Sequence, residues 1–197
     1  MAKETPEPQA SFPGIMDAVD VRFTRARAIH AASRLKPILL KYVLRTKDGK
    51  PLCRLAGSLR RRAREVHDID IVACVSRTPD DLMAPESNPR ARLRSEITAR
   101  AGKVLFWGPD HARFTFEEIP VDLYFAKPSR FAVALLVATG SARHLRKLDL
   151  RAKARNLRLQ PAQHLLATQD HNELSLGSEI DVYETLGVPY LSPQQRA

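Results

Sequence analysis

The run Asp68-Ile69-Asp70-Ile71-Val72 constrains the fold of this chain more than any other segment. Side chains alternate across a strand, so Ile69 and Ile71 enter a core while Asp68 and Asp70 project together from the opposite face. Two carboxylates side by side repel unless a cation neutralises them, and carboxylate oxygens are the ligands that hard divalent metals prefer. Taken alone, Asp-x-Asp is more often the solvated face of an edge strand. Two features of the surrounding sequence favour a site. Gly57-Ser58 lies eleven positions upstream of Asp68, between a strand-like run and a short helical one, and offers backbone N–H groups, a hydroxyl and a helix start to a phosphate. A third carboxylate, Asp122, sits in Ile119-Pro120-Val121-Asp122-Leu123-Tyr124-Phe125, where the same alternation sends Val121 and Leu123 inward and lets Asp122 join the first two from a neighbouring strand.

The partner suggested by the charge is a polyanion. The net charge is +10, which points to nucleic acid before anionic membrane. With 44% apolar and 27% charged residues, the composition excludes a chain disordered throughout and a membrane protein. Cys53 and Cys74 lie in apolar runs without CxxC spacing and read as reduced core residues, not as a disulfide framework or zinc site. Residues 1–14 carry Pro and Glu where a secretory signal needs an apolar stretch, so a disordered tail on a cytoplasmic protein is expected.

The remaining punctuation gives an α+β pattern. Helix-like spacing runs through residues 16–44, with Pro37 as a break or restart that gives one or two helices, and turn chemistry follows at 46–50. Strand-like runs occupy 51–56 and 68–75. Asn88-Pro89 and Gly102 bracket a helix over 89–101, and strands are expected at 103–107, 113–118 and 120–125. Helices return at 128–139, stopped by Gly140, at 142–156, capped by Ser141, and between Ser178 and Gly187. Phe106 and Trp107 read as core, Glu117 and Glu118 as surface charges. His67 is placed to tune Asp68. The other five histidines, His111 among them, show no ligand spacing. Residues 142–158 hold seven Lys or Arg against one Asp, and Arg143, Lys147 and Arg151 recur every four residues beside an apolar stripe of Leu145, Leu148 and Ala152. Such a face either meets phosphates or is simply solvated.

Taken together, Gly57-Ser58 with Asp68-Ile69-Asp70, Ile119 to Leu123, Thr139-Gly140-Ser141, and Leu186-Gly187-Val188-Pro189-Tyr190 with Pro193 resemble the motifs of the family X DNA polymerases, a branch of the polymerase-beta-like nucleotidyltransferases. The first two motifs occur across the wider superfamily; the last two are more specific to family X. The resemblance implies a nucleotidyltransferase palm with a mixed, antiparallel-rich sheet over 46–127, a helical thumb over 128–197 and a short helical segment over 15–45. It implies that Asp68 and Asp70 bridge two Mg²⁺ ions, with Mn²⁺ as an alternative, and that Asp122 binds the ion activating the primer 3′-hydroxyl. Gly57, Ser58 and Arg61 match positions around the triphosphate, and Val137, Ala138, Thr139 and Gly140 positions around the incoming nucleotide. Arg143, Lys147 and Arg151 are expected to meet DNA.

The implied activity is addition of deoxynucleotides to primed or gapped DNA by a monomer, in short-gap repair, with no membrane partner. Nucleotidyl transfer to RNA or a protein, and a non-catalytic basic DNA-binding module, are the alternative readings. Several positions depart from the family. Arg62 and His67 replace glycines, so a different backbone path is expected between helix and strand. Leu145 stands where the family has a minor-groove-reading Asn, and Val137-Ala138 replaces an aromatic pair, implying weaker rejection of a 2′-hydroxyl. The first 50 residues are too short and glycine-poor for a lyase domain with full fingers, so a reduced form is expected.

Overall fold

A computed structural model describes residues 21–76, 88–100 and 102–196; the tail expected over 1–14 lies outside them. Alternating apolar residues set the sheet. In β4 (Ile69–Ala73) and β7 (Ile119–Phe125), Ile69, Ile71, Ala73, Val121, Leu123 and Phe125 are buried in one core. These two strands pair in parallel at the centre of a five-stranded sheet. Outside β4 lies β2 (Cys53–Leu55), and outside β7 lie β6 (His111–Phe116) and then β5 (Val104–Trp107), all antiparallel to their neighbours. The fold is therefore α+β with a mixed sheet.

The core face packs against α1 (Arg25–Leu40) and α3 (Pro89–Arg100) through Leu35, Leu39, Leu93 and Ile97. The Asn88 side chain accepts from the Arg90 N–H at 2.8 Å, supplying the expected cap. Of the one or two helices expected around Pro37, the structure has one, with Pro37 within α1. The proline costs one bond near the helix end, to the residue 33 carbonyl, while buried Leu35, Ile38 and Leu39 around it hold the turn. Two strands too short for any periodicity, β1 (Phe23–Thr24) and β3 (Glu65–Val66), pair with each other. Glu117 and Glu118 form the two-residue turn between β6 and β7, both at positive φ, and pair with Arg34 and Arg27 at 2.8 Å. Trp107 packs against the core as expected, but Phe106 does not. It follows a register shift on the edge strand and is 53% exposed.

The other sheet face meets α2 (Gly57–Arg60) and α4 (Phe131–Thr139), with Ala56, Val72, Cys74, Ala134 and Leu135 between them. Apolar all round, α4 also turns Ala132, Val133 and Leu136 into a second core with α5 (Ala142–Ala154) and α6 (Glu179–Thr185). That core includes the hairpin of β8 (Leu157–Gln160) and β9 (Leu165–Thr168), an element the sequence reading did not assign. Ser141 and Ser178 cap α5 and α6, the latter in a capping box with Asp181. Both cysteines are free, and among the described residues no helix is long and apolar enough to cross a membrane.

A charged brace ties α2 to the C-terminal part of the chain. Arg60 donates to both Glu179 oxygens at 2.9 and 2.5 Å, and Arg196, fully buried, donates to the same carboxylate at 2.6 Å. Burial alone would raise the Glu179 pKa, but these two guanidiniums outweigh it and hold the carboxyl below its usual range. Glu179→Gln should therefore destabilise the protein by about 3–5 kcal/mol at pH 7, because Arg196 is left buried beside a neutral partner. A carboxyl held below its unfolded value of about 4.3 contributes stability that is complete above that pH and lost as pH falls through the folded value. Urea unfolding should show a gap between wild type and variant that is widest at neutral pH and closes in acid.

Candidate active site

The parallel register of β4 and β7 places Asp70 directly opposite Asp122, and Asp68 lies one residue ahead of β4. Since the odd-numbered residues of both strands enter the core, Asp70, Asp122 and Tyr124 share the other face. Antiparallel pairing then sets His111 of β6 opposite Tyr124 and Arg113 opposite Asp122. Asp122 is only 4% exposed, with its two oxygens divided between these neighbours. His111 Nε2 lies 2.7 Å from Oδ1 and Arg113 Nη1 lies 3.3 Å from Oδ2. An ionised carboxylate only accepts, so His111 donates in the first of these bonds. The His111 ring stacks on Tyr124 at 5.1 Å, and the Tyr124 hydroxyl donates to Asp70 Oδ1 at 3.4 Å.

Gly57 closes the other side of Asp70. Its φ is +58°, and a Cβ there would fall 1.7 Å from Asp70 Oδ2, so only glycine permits this approach. The one turn of α2 that follows carries half-buried Ser58 and aims Arg60 and Arg61 at the end of α4. Arg60 donates to Thr139 Oγ1 at 2.7 Å, and Arg61 donates to the Thr139 carbonyl. Arg61 thus meets Thr139 and lies against Gly140, bringing these two segments together. Arg62 takes φ +63°, in the left-handed region that favours glycine. Val137 and Ala138 are half-buried against the second core and the sheet-side cluster.

The basic residues of α5 are exposed and stand apart from this cluster. Lys147 and Arg151 flank a cleft of about 500 Å³ floored by Leu148, Tyr183, Val188 and Leu191. The histidines carry roles that spacing along the chain did not disclose. His111 holds Asp122, and His144 pairs with Tyr183 at 2.6 Å. Period-two alternation in His111-Ala112-Arg113 would have shown both residues on one face, but not that this face pairs with Asp122.

Crowded acids set the electrostatics. Burial, reinforced by the charges of Asp68 and Asp122, pushes the Asp70 pKa up to about 7. Asp68 is also raised, by burial and by Asp122, against the opposing charges of Arg113 and His67. Burial and the nearby carboxylates raise Tyr124. Carboxylate oxygens are the donors that a hard divalent cation prefers. Among the described residues no three His, Cys, Asp or Glu side chains close into a ready-made metal group. Asp122 is drawn toward β6 and Asp70 toward Tyr124, so binding an ion requires these carboxylates to turn.

Residues 134–197 match the family model of the DNA polymerase beta thumb. No curated protein matches the chain. The thumb match spans α5, the β8–β9 hairpin and α6, including the Thr139-Gly140-Ser141 motif and Glu179. It supports a polymerase-beta-like protein of family X.

An acid whose folded pKa lies above its unfolded value contributes stability at low pH that is lost as pH rises through that window. For Asp70 the window runs from about 4 to about 7. In EDTA, the urea midpoint of the wild type should fall across this range, and Asp70→Asn should flatten the fall.

Proposed function

We propose that this protein is a metal-dependent nucleotidyltransferase that adds deoxynucleotides to the 3′-hydroxyl of a DNA primer, filling short gaps in repair as an intracellular monomer. A polymerase-like, DNA-binding protein is already indicated by the thumb match. The observation that carries the finer reading is Asp70 facing Asp122 across parallel strands, with Gly57 pressed against Asp70. A protein that only binds polyanions gains nothing from three acids gathered on one face of its sheet.

Asp68, Asp70 and Asp122 would hold two Mg²⁺ ions, or Mn²⁺. When bound, such ions lower the pKa of an attacking hydroxyl and offset the charge of a triphosphate and its departing pyrophosphate. The chain's own residues supply position. Ser58 and Arg61 hold triphosphate oxygens at the start of α2, where Gly57 keeps the backbone close to Asp70. Thr139 and Gly140 form the wall that Arg61 already touches, and Val137 and Ala138 line the sugar side with small groups. Asp122, on the strand beside Asp70, faces the primer end. Arg143, Lys147 and Arg151 project from α5 toward DNA phosphates.

Extension of a labelled primer on single-stranded, recessed and one-nucleotide-gapped DNA tests the activity. Asp122→Ala should reduce nucleotide addition to background while leaving DNA binding largely intact, since a metal ligand is lost and not a phosphate contact. Near-normal extension by this variant in Mg²⁺ would overturn the assignment.

Neutralising Arg143, Lys147 and Arg151 together should weaken DNA binding and flatten its dependence on salt by up to about three units of slope if all three meet phosphates. An unchanged slope, read by fluorescence anisotropy across a salt series, would return this face of α5 to solvent.

A further inference from the structure

The two side-chain contacts of Asp122 differ in kind. His111 is a ring fixed between partners: it donates to Oδ1 at 2.7 Å and lies flat on Tyr124, which in turn donates to Asp70. It uses one lone pair of one oxygen and leaves the rest of the carboxylate available. Arg113 brings a full charge to the other oxygen at 3.3 Å, on a side chain 45% exposed and free to swing into solvent. Its charge also bears on Asp68. Arg113 therefore sits as a cation among acids that do not themselves close into a metal group.

We propose that Arg113 is the resident counter-ion of Asp122, displaced when a divalent cation binds, and that His111 is the positioning residue that keeps Asp122 in place during the exchange. The proposal rests on the reading of Asp68, Asp70 and Asp122 as metal ligands. A contact made before the ion binds and given up afterwards weakens binding, whereas one that survives and orients the ligand strengthens it. Arg113 belongs to the first class, because a guanidinium and a divalent ion repel at one carboxylate. His111 belongs to the second, as an outer hydrogen bond to a ligating carboxylate. The two neighbours on one strand thus act on the same acid with opposite signs, an outcome that a merely structural role for either would not produce.

The test is direct Mn²⁺ titration of the DNA-free protein, reading unbound Mn²⁺ by electron paramagnetic resonance, with circular dichroism and thermal unfolding as checks on folding. Arg113→Gln should bind Mn²⁺ about three- to tenfold more tightly at low salt, with the gain shrinking as salt screens the lost charge. Arg113→Lys, which keeps the charge, should stay near wild type. His111→Ala should bind about ten- to hundredfold more weakly, and His111→Gln, which restores a donor without the ring, should recover part of the loss. Equal or weaker binding by Arg113→Gln would overturn the counter-ion role, and unchanged binding by His111→Ala would overturn the positioning role. Asp122→Ala separates these failures from that of the underlying reading. If it too binds Mn²⁺ as wild type does, the carboxylates are not the metal site.

Discussion

The parallel pairing of β4 with β7 is the constraint from which the rest of the site follows. It brings Asp70 and Asp122 face to face, with Asp68 beside them, on the side of a sheet that is half covered by protein. Buried like charges are costly, and every neighbour can be read as a response. His111 and Arg113 divide the oxygens of Asp122, Tyr124 donates to Asp70, and burial beside Asp68 and Asp122 still pushes the Asp70 pKa up to about 7. A fold built only for stability would place apolar residues here. Retaining three acids in this setting makes physical sense when a cation completes them.

A second constraint bears on the proposed function, in which the acids alone could not hold a nucleotide. The wall opposite them comes from the end of α4, some eighty residues along the chain from α2, and two devices keep it in place. One is the apolar character of α4, which faces the sheet on one side and the C-terminal core on the other. The other is the Arg60–Glu179–Arg196 brace, which runs from α2 past Thr139 to the last turn of the chain. Adjacent arginines therefore divide their work. Arg60 is consumed by the brace, while Arg61 bonds the Thr139 carbonyl, the acceptor that a phosphate would replace in the proposed function.

Much of this was legible in the sequence wherever a local rule had one reading. Strand alternation around Asp70 and Asp122 fixed which residues enter the core, and Asn88, Ser141 and Ser178 capped the helices they were expected to cap. What escaped depended on tertiary context. Pro37 stays inside α1 because the core holds its flanks, and Phe106 turns outward at a register shift on an edge strand. The β8–β9 hairpin consists of two four-residue strands whose pairing lends them their order. His111 lies eleven residues from Asp122 with no motif between them, and only the β6–β7 register joins them. Arg60 and Arg196 carry no local sign that both converge on Glu179.

The central claim is that Asp68, Asp70 and Asp122 form one divalent-cation site beside the Gly57 turn. Anomalous diffraction at the manganese edge tests it most directly, from crystals of the protein with one-nucleotide-gapped DNA, Mn²⁺ and a non-hydrolysable deoxynucleoside triphosphate. The account predicts manganese peaks bounded by the three carboxylates, with the triphosphate against Ser58 and Arg61. A fully occupied nucleotide with no manganese at these carboxylates, or with manganese held elsewhere, would contradict it.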